Sequence, residues 1–222
     1  CKEEISHVIS EYKPDIIHAH DMLASVNAAL TAPKNVKIVS HIHNSDFRSR
    51  RISAKSLAYL AVSPRFSNII WVSNSCFYGF AFHKLLSKKS RILYNVINRD
   101  KIIEKVNADT NDYSYDFSYI GRLADPKNPL RFVRITKLVS ENKPDVKAAI
   151  VGTGELETEV KAEISKLGLE NNIDMPGFMP NPLKVMSCSK ALVMTSDREG
   201  MPMAALEATA LGIPIVSTPT DG

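Results

Sequence analysis

The chain has 222 residues, 44% of them hydrophobic and 23% charged, with a formal net charge of +4. This composition excludes disordered, collagen-like and low-complexity proteins, and the length allows a substantial core without disulfide staples. No apolar run approaches the roughly 20 residues that cross a bilayer. The cysteines, Cys1, Cys76 and Cys188, are too widely spaced for a metal cluster or a disulfide framework, and a reducing cytoplasm is the expected setting. The chain starts at Cys1 with no signal peptide ahead of it, so it is expected to begin partway into a longer protein.

In chain order, a helix is predicted over Lys2–Tyr12, then a strand over Ile16–Ala19, a helix over Met22–Leu30 and a strand over Val36–Ile42. A helix over Ala54–Ala61, a strand over Asn68–Ser73, a helix over Ser75–Leu86 and a strand over Arg91–Ile97 follow. Asn98–Ser114 is polar and holds no strand pattern. The alternation then resumes with strand Phe117–Gly121, helix Leu130–Asn142, strand Lys147–Gly152, helix Leu156–Leu167 and strand Asn172–Met175. It finishes with helix Pro182–Ser187, strand Ala191–Ser196, helix Met203–Leu211 and strand Pro214–Thr218. Most strand runs are Ile/Val-rich and apolar on both faces, as in buried parallel sheets. Gly168 and Gly212 read as helix C-terminal caps, and Pro182 and Pro202 as first-turn prolines. Regular strand–helix alternation predicts an α/β fold with doubly wound sheets.

The polar stretch divides the chain into residues 1–98, a linker at 99–114, and residues 115–222. The charge balance changes sign near it. Residues 1–110 carry 16 Lys+Arg against 9 Asp+Glu, and residues 111–222 carry 12 against 15. Each side has fewer strands than the six common in a finished doubly wound domain, so both domains are expected to be incomplete, the first missing its front and the second its back.

Ligands of open α/β sheets bind beyond the carboxyl ends of the strands. In the second domain those ends carry Gly121-Arg122 with Lys127 close behind, Gly152-Thr153-Gly154, and Asp197 and Glu199-Gly200 ahead of the helix that follows Pro202. Two cations and a helix N-terminus suit a diphosphate. Glu207 stands in the second turn of that helix among small apolar residues, where a carboxylate is costly unless bonded. With Glu199 it can accept hydrogen bonds from sugar and ribose hydroxyls.

These residues resemble the retaining glycosyltransferases of GT-B architecture, specifically family 4 (glycosyl transferases group 1). The resemblance rests on Gly121-Arg122-Leu123-Ala124-Asp125-Pro126-Lys127, Val151-Gly152-Thr153-Gly154, Glu199 to Glu207, and the strand Pro214–Thr218. In the first domain it rests on Pro14–His20, His41-Ile42-His43-Asn44 and Leu93–Ile97. It implies two Rossmann-like domains facing across a cleft, and transfer of a sugar from a nucleoside-diphosphate donor to a sugar or lipid-linked saccharide acceptor. A role in bacterial surface polysaccharide or glycoconjugate synthesis goes with it. It also implies no cofactor and no metal, with Arg122 and Lys127 holding the donor diphosphate, Glu207 the ribose, and Glu199 the donor sugar. Backbone groups from Gly200 through Met201, Pro202 and Met203 would assist, and His43 would stand near the reaction centre. Asn128 departs from the glycine common after the lysine, and Met201 and Met203 from the usual residues around the first glutamate.

Two other functions compete with this one. The pairs His18/His20 and His41/His43 each fall on one strand face, a pattern that could ligate a metal in a metallohydrolase. A non-catalytic binding protein of the same fold is the second. The cluster Arg48, Arg50, Arg51 and Lys55 suggests an anionic partner, either the acceptor or a membrane surface, with peripheral attachment to the inner membrane face. It lacks the aromatic interleaving and motifs of nucleic-acid binding.

Overall fold

The computed structural model describes residues 2–44 and 46–220. Nine strands form where nine are expected, eight of them with ends within two residues of the expected ones. The first sheet holds β1 (Ile16–His20), β2 (Lys37–Ile42), β3 (Phe66–Trp71) and β4 (Ser90–Ile92), parallel and in chain order. The second holds β5 (Phe117–Ile120), β6 (Ala148–Val151), β7 (Ile173–Gly177), β8 (Leu192–Met194) and β9 (Ile215–Ser217) in the order β7-β6-β5-β8-β9. The chain divides into two compact units. One comprises residues up to Asn95 together with Glu199–Met201, and the other runs from Val96 to Arg198 and from Pro202 to Thr220.

In the first unit, α1 (Lys2–Tyr12) precedes the sheet, α2 (Asp21–Thr31) joins β1 to β2, and α3 (Ala54–Val62) joins β2 to β3. Successive parallel strands joined by right-handed crossovers put their helices on one face. That face is the core, where Ile38, Ile42, Ile69 and Trp71 are fully buried with Tyr59 of α3. A hydroxyl chain crosses it: Ser40 lies 2.7 Å from both Ser25 of α2 and Tyr59. Burial pushes the Tyr59 phenol well above its usual pKa, so it stays a neutral partner. The opposite face of β1 and β2 is not buried: Ile16, His18 and His20 are exposed, and Val39 and His41 only partly covered. These strands are therefore apolar on one side only, unlike β6, which is buried throughout.

Three expectations need correction. The Ser75–Leu86 helix is broken into α4 (Asn74–Gly79) and α5 (His83–Leu86), because the fully buried Phe80 turns the chain into the core between them. The strand expected over Arg91–Ile97 ends at Ile92; the Leu93 N–H still donates to Trp71 O of β3, but the Leu93 and Val96 side chains are 55% and 85% exposed. The polar 99–114 segment contains a helix, α6 (Arg99–Ala108), capped by the Asn98 side chain and burying Ile102. One buried side chain in ten residues is too weak a periodic signal to read from sequence.

The second unit has a reversal in strand order at β5, whose neighbours are β6 and β8, so it is doubly wound with a switch point there. Helices α7 (Pro129–Asn142) and α8 (Glu157–Leu167) flank it, with α9 (Leu183–Ser187) and α10 (Met203–Leu211) following. Gly168 and Gly212 adopt left-handed φ as the expected C-caps, whereas Pro182 and Pro202 sit at N-cap positions, one residue outside the first turn. At the start of β5, Asp116 accepts hydrogen bonds from Lys143 at 2.6 Å and Lys190 at 2.8 Å. Those two bonds hold its carboxyl well below the usual range. Cys76 and Cys188 are not joined in a disulfide, and Cys1 lies outside the described residues.

Candidate functional site

The second unit presents a cavity of about 470 Å³ beyond the carboxyl ends of β5 and β6, lined by Gly121, Arg122, Gly152, Thr153 and Gly154, with Phe178 at its edge. The loops after β5 and β6 are packed backbone to backbone. Gly121 N–H donates to Val151 O and Leu123 N–H to Thr153 O, at 3.0 and 2.9 Å. A Cβ on Gly152 would collide with the Gly121 carbonyl oxygen, and one on Gly154 would lie 2.7 Å from the Leu123 carbonyl carbon. Both glycines are thus required for close approach, and Gly152 also for its φ of 138°.

Arg122 is exposed on this cavity and has no ion-pair partner among the described residues, so its charge is available to a ligand. Lys127 is half-buried and ends a short 3₁₀ turn. The next residue, Asn128, has φ 46°, a left-handed conformation that asparagine tolerates. This accounts for a non-glycine residue there: its side chain also accepts the Arg131 N–H and caps α7, which glycine could not do. Thr195 Oγ1 donates to both the Lys127 and Asn128 carbonyls. Arg131 bonds Thr195 O at 2.9 Å and Asp197 at 2.8 Å. The roles of Arg131 and Thr195 were not anticipated from sequence, although Asn-Pro ahead of a helical run is a recognisable turn-and-cap signal.

The helix α10 begins at Met203 without a side-chain cap, so its first N–H groups remain available to an anion. Glu207 is half-exposed in its second turn, beside the partly buried Ala204 and Ala205. Burial raises its pKa, and Lys105 draws it part of the way back. Arg122, Lys127, Gly152, Gly154, Met203 and Glu207 therefore belong to one unit, at or near its strand ends.

Glu199, Gly200 and Met201 cluster with the first unit instead. Glu199 is 7% exposed. Gly200 lies so close to the His43 carbonyl that a Cβ would collide with it. Met201 packs on the first core, and its carbonyl accepts from Asn95 Nδ2 at 3.1 Å. His43 follows β2; its N–H donates to Asp21 Oδ1 at 2.9 Å, and its Nε2 lies 2.7 Å from His20 Nδ1. Asp21 adopts φ 69° to make that bond, a constraint with no signal in the sequence. His18, His20 and His41 share the open sheet face, their ligand atoms within 4.8 Å of one another. Burial first, then the neighbouring His43, lowers His41 to about 4, and the same kinds of cause lower His18.

The basic cluster is reduced by the structure. Lys55 is ion-paired with Asp46 at 2.6 Å. Burial pushes that carboxyl up, but the Lys55 and Ser49 hydrogen bonds outweigh it and its pKa falls. Arg48 and Arg51 remain exposed, beside Phe47 at 55% and Ile52 at 76% exposure, and the Arg51 guanidinium stands 4.0 Å over the Phe47 ring. Among the described residues no helix is long and apolar enough to cross a membrane.

Residues 98–222 match the model of glycosyl transferases group 1, and residues 2–101 that of glycosyltransferase family 4. An uncharacterized glycosyltransferase of Methanocaldococcus jannaschii is 28% identical over 97% of this chain and 58% of its own length. The Escherichia coli UDP-Gal:alpha-D-GlcNAc-diphosphoundecaprenol alpha-1,3-galactosyltransferase is 25% identical over 97% of this chain and 60% of its own length. Among solved structures, Anabaena HepE in complex with UDP and glucose aligns with a TM-score of 0.78 at 21% identity, over 97% of this chain and 61% of that one. The chain thus spans about 60% of the length of these relatives. Since the model of glycosyl transferases group 1 matches more than half of the chain and the fold is shared, the chain belongs to that family.

Proposed function

We propose that the protein to which this chain belongs transfers a sugar from a nucleoside-diphosphate donor to an acceptor hydroxyl, with retention at the anomeric carbon. The observation that carries this reading is the cavity at the β5 switch point. There an unpaired Arg122 and the glycine-packed turn lie at the strand ends of the unit that also holds Lys127, the uncapped start of α10 and Glu207. Breaking a glycosyl–phosphate bond builds negative charge on the leaving diphosphate. Fixed cations and helix N–H groups stabilise that charge without reorganising, the task a metal performs in other transferases. Glu207 accepts hydrogen bonds from the ribose hydroxyls, and Glu199 contacts the donor sugar. His43, held by Asp21 and His20, serves the reacting end.

The names of the Escherichia coli relative and of an N-acetylgalactosaminyltransferase of Campylobacter jejuni both describe diphospho-undecaprenol acceptors. A lipid-linked saccharide acceptor, within polysaccharide or glycoconjugate synthesis, is the corresponding reading here. Exposed Arg48 and Arg51 beside exposed Phe47 and Ile52 suit peripheral attachment to an anionic membrane. The test is mass spectrometry of products from a panel of nucleotide sugars with the full-length protein. The anomeric proton coupling of the product then reads retention. No product with any donor, or an inverted linkage, overturns the reading.

A further inference from the structure

We infer that His18, His20 and His41 form a Zn²⁺ site on the face of the first sheet opposite its helices, outside the nucleotide-binding unit; its effect on sugar transfer rests on the function proposed above. Parallel pairing puts His20 directly opposite His41, and His18 two residues earlier on the same face of β1. The three rings pack with centroids 4.5, 5.3 and 5.5 Å apart, and the His18 and His41 rings are stacked within 2° of parallel. Their nearest ligand nitrogens all lie within 4.8 Å of one another. Tetrahedral Zn–N bonds of about 2.0–2.1 Å need nitrogens roughly 3.3 Å apart. Imidazole χ2 has a broad energy well, so ring swings can close that gap without moving the strands.

Two further observations point to a ligand. Both ring nitrogens of His41 are buried and neither has a hydrogen-bond partner among the described residues, a cost that native structures seldom leave unmet. The strands that carry the rings are also fixed in register at this end, because Asp21 ties the start of α2 to the His43 N–H. The donor set is all imidazole. This excludes Mg²⁺ and Ca²⁺, which take oxygen ligands, and suits a borderline ion such as Zn²⁺. Three histidines with an open fourth position leave room for water. His20 also contacts His43 at 2.7 Å, so an ion on the triad would fix the ring beside the residue assigned to the reacting end. Zn²⁺ occupancy would then slow sugar transfer and leave nucleotide binding in the second unit unchanged.

The test is titration calorimetry of the full-length protein with Zn²⁺ alone, with Co²⁺ absorption as the reporter of coordination. Wild type is expected to bind one Zn²⁺ with micromolar affinity and to give a tetrahedral Co²⁺ spectrum. Losing an outer-shell partner of a metal costs about 10–100-fold in affinity, so loss of a direct ligand in His18→Gln or His41→Gln should cost at least tenfold. His83→Gln, on α5, should change nothing. His18 is exposed, so His18→Gln tests the site even if His41→Gln fails to fold. Millimolar or absent binding, or unchanged affinity in His18→Gln, overturns the inference. Nucleotide affinity measured with and without Zn²⁺ separates this outcome from failure of the transferase reading.

Discussion

Glu207→Gln and Glu207→Ala separate ligand chemistry from stability at a single position. Glu207 is half-exposed among small apolar residues of α10, and burial already raises its pKa. Its charge is therefore disfavoured in the free protein, and removing it should not destabilise the fold. Ala is also the better helix former by a few tenths of a kcal/mol. A charged hydrogen bond to ribose contributes about 1.5–3 kcal/mol, so Glu207→Ala should weaken nucleoside-diphosphate binding about 10- to 150-fold. Gln keeps a neutral acceptor about half as strong, and should weaken it by roughly fivefold. Titration calorimetry with UDP and GDP reads the affinity, and calorimetric melting reads stability. About 1 kcal/mol shifts the Tm by roughly 2–4 °C in a protein of this size. Affinity within twofold of wild type for whichever nucleotide binds would refute the ribose assignment. A Tm lower by more than about 5 °C would show that Glu207 is structural.

Asn128→Ala loses both an α7 cap and a residue tolerant of left-handed φ. It should cost about 2–3 kcal/mol and weaken nucleotide binding by displacing Lys127, while Asn128→Gly, which keeps the φ, should lose only a few tenths; equal melting of the two variants would contradict this. Asp116→Asn should cost about 1 kcal/mol at neutral pH, discounted for partly exposed lysines. Because the Asp116 pKa is depressed in the fold, its contribution is present above about pH 4 and is lost as pH falls below that. The gap in melting temperature between wild type and variant should narrow on acidification, and a gap independent of pH would refute the linkage. Changing Arg48 and Arg51 to Gln should reduce co-sedimentation with anionic vesicles and its salt sensitivity, at about 1 kcal/mol per side chain near the surface. Equal binding to neutral and anionic vesicles would leave these arginines solvated.

The sequence by itself determined the strands, most helices and the strand ends that carry Arg122, Gly152-Gly154 and Glu207, because apolar periodicity and glycine punctuation are local signals. Even the one-residue offsets at Pro182 and Pro202 stay within the uncertainty of a helix start. Only the tertiary structure decided which faces are buried. Alternation places His18/His20 and His41/His43 each on one strand face, but only the structure shows that this face lies opposite the crossover helices of the first unit and that His41 stands beside His18 and His20 on it. It also decided partnership. Lys55 reads as a surface cation but is neutralised by Asp46, and Asn128 reads as a departure from a glycine turn but supplies both the turn and the cap. Helix α6 was hidden because its single buried side chain, Ile102, leaves no periodic pattern. One-sided burial and pairs such as Arg131 with Asp197 depend on residues distant in the chain, and no local window of sequence records them.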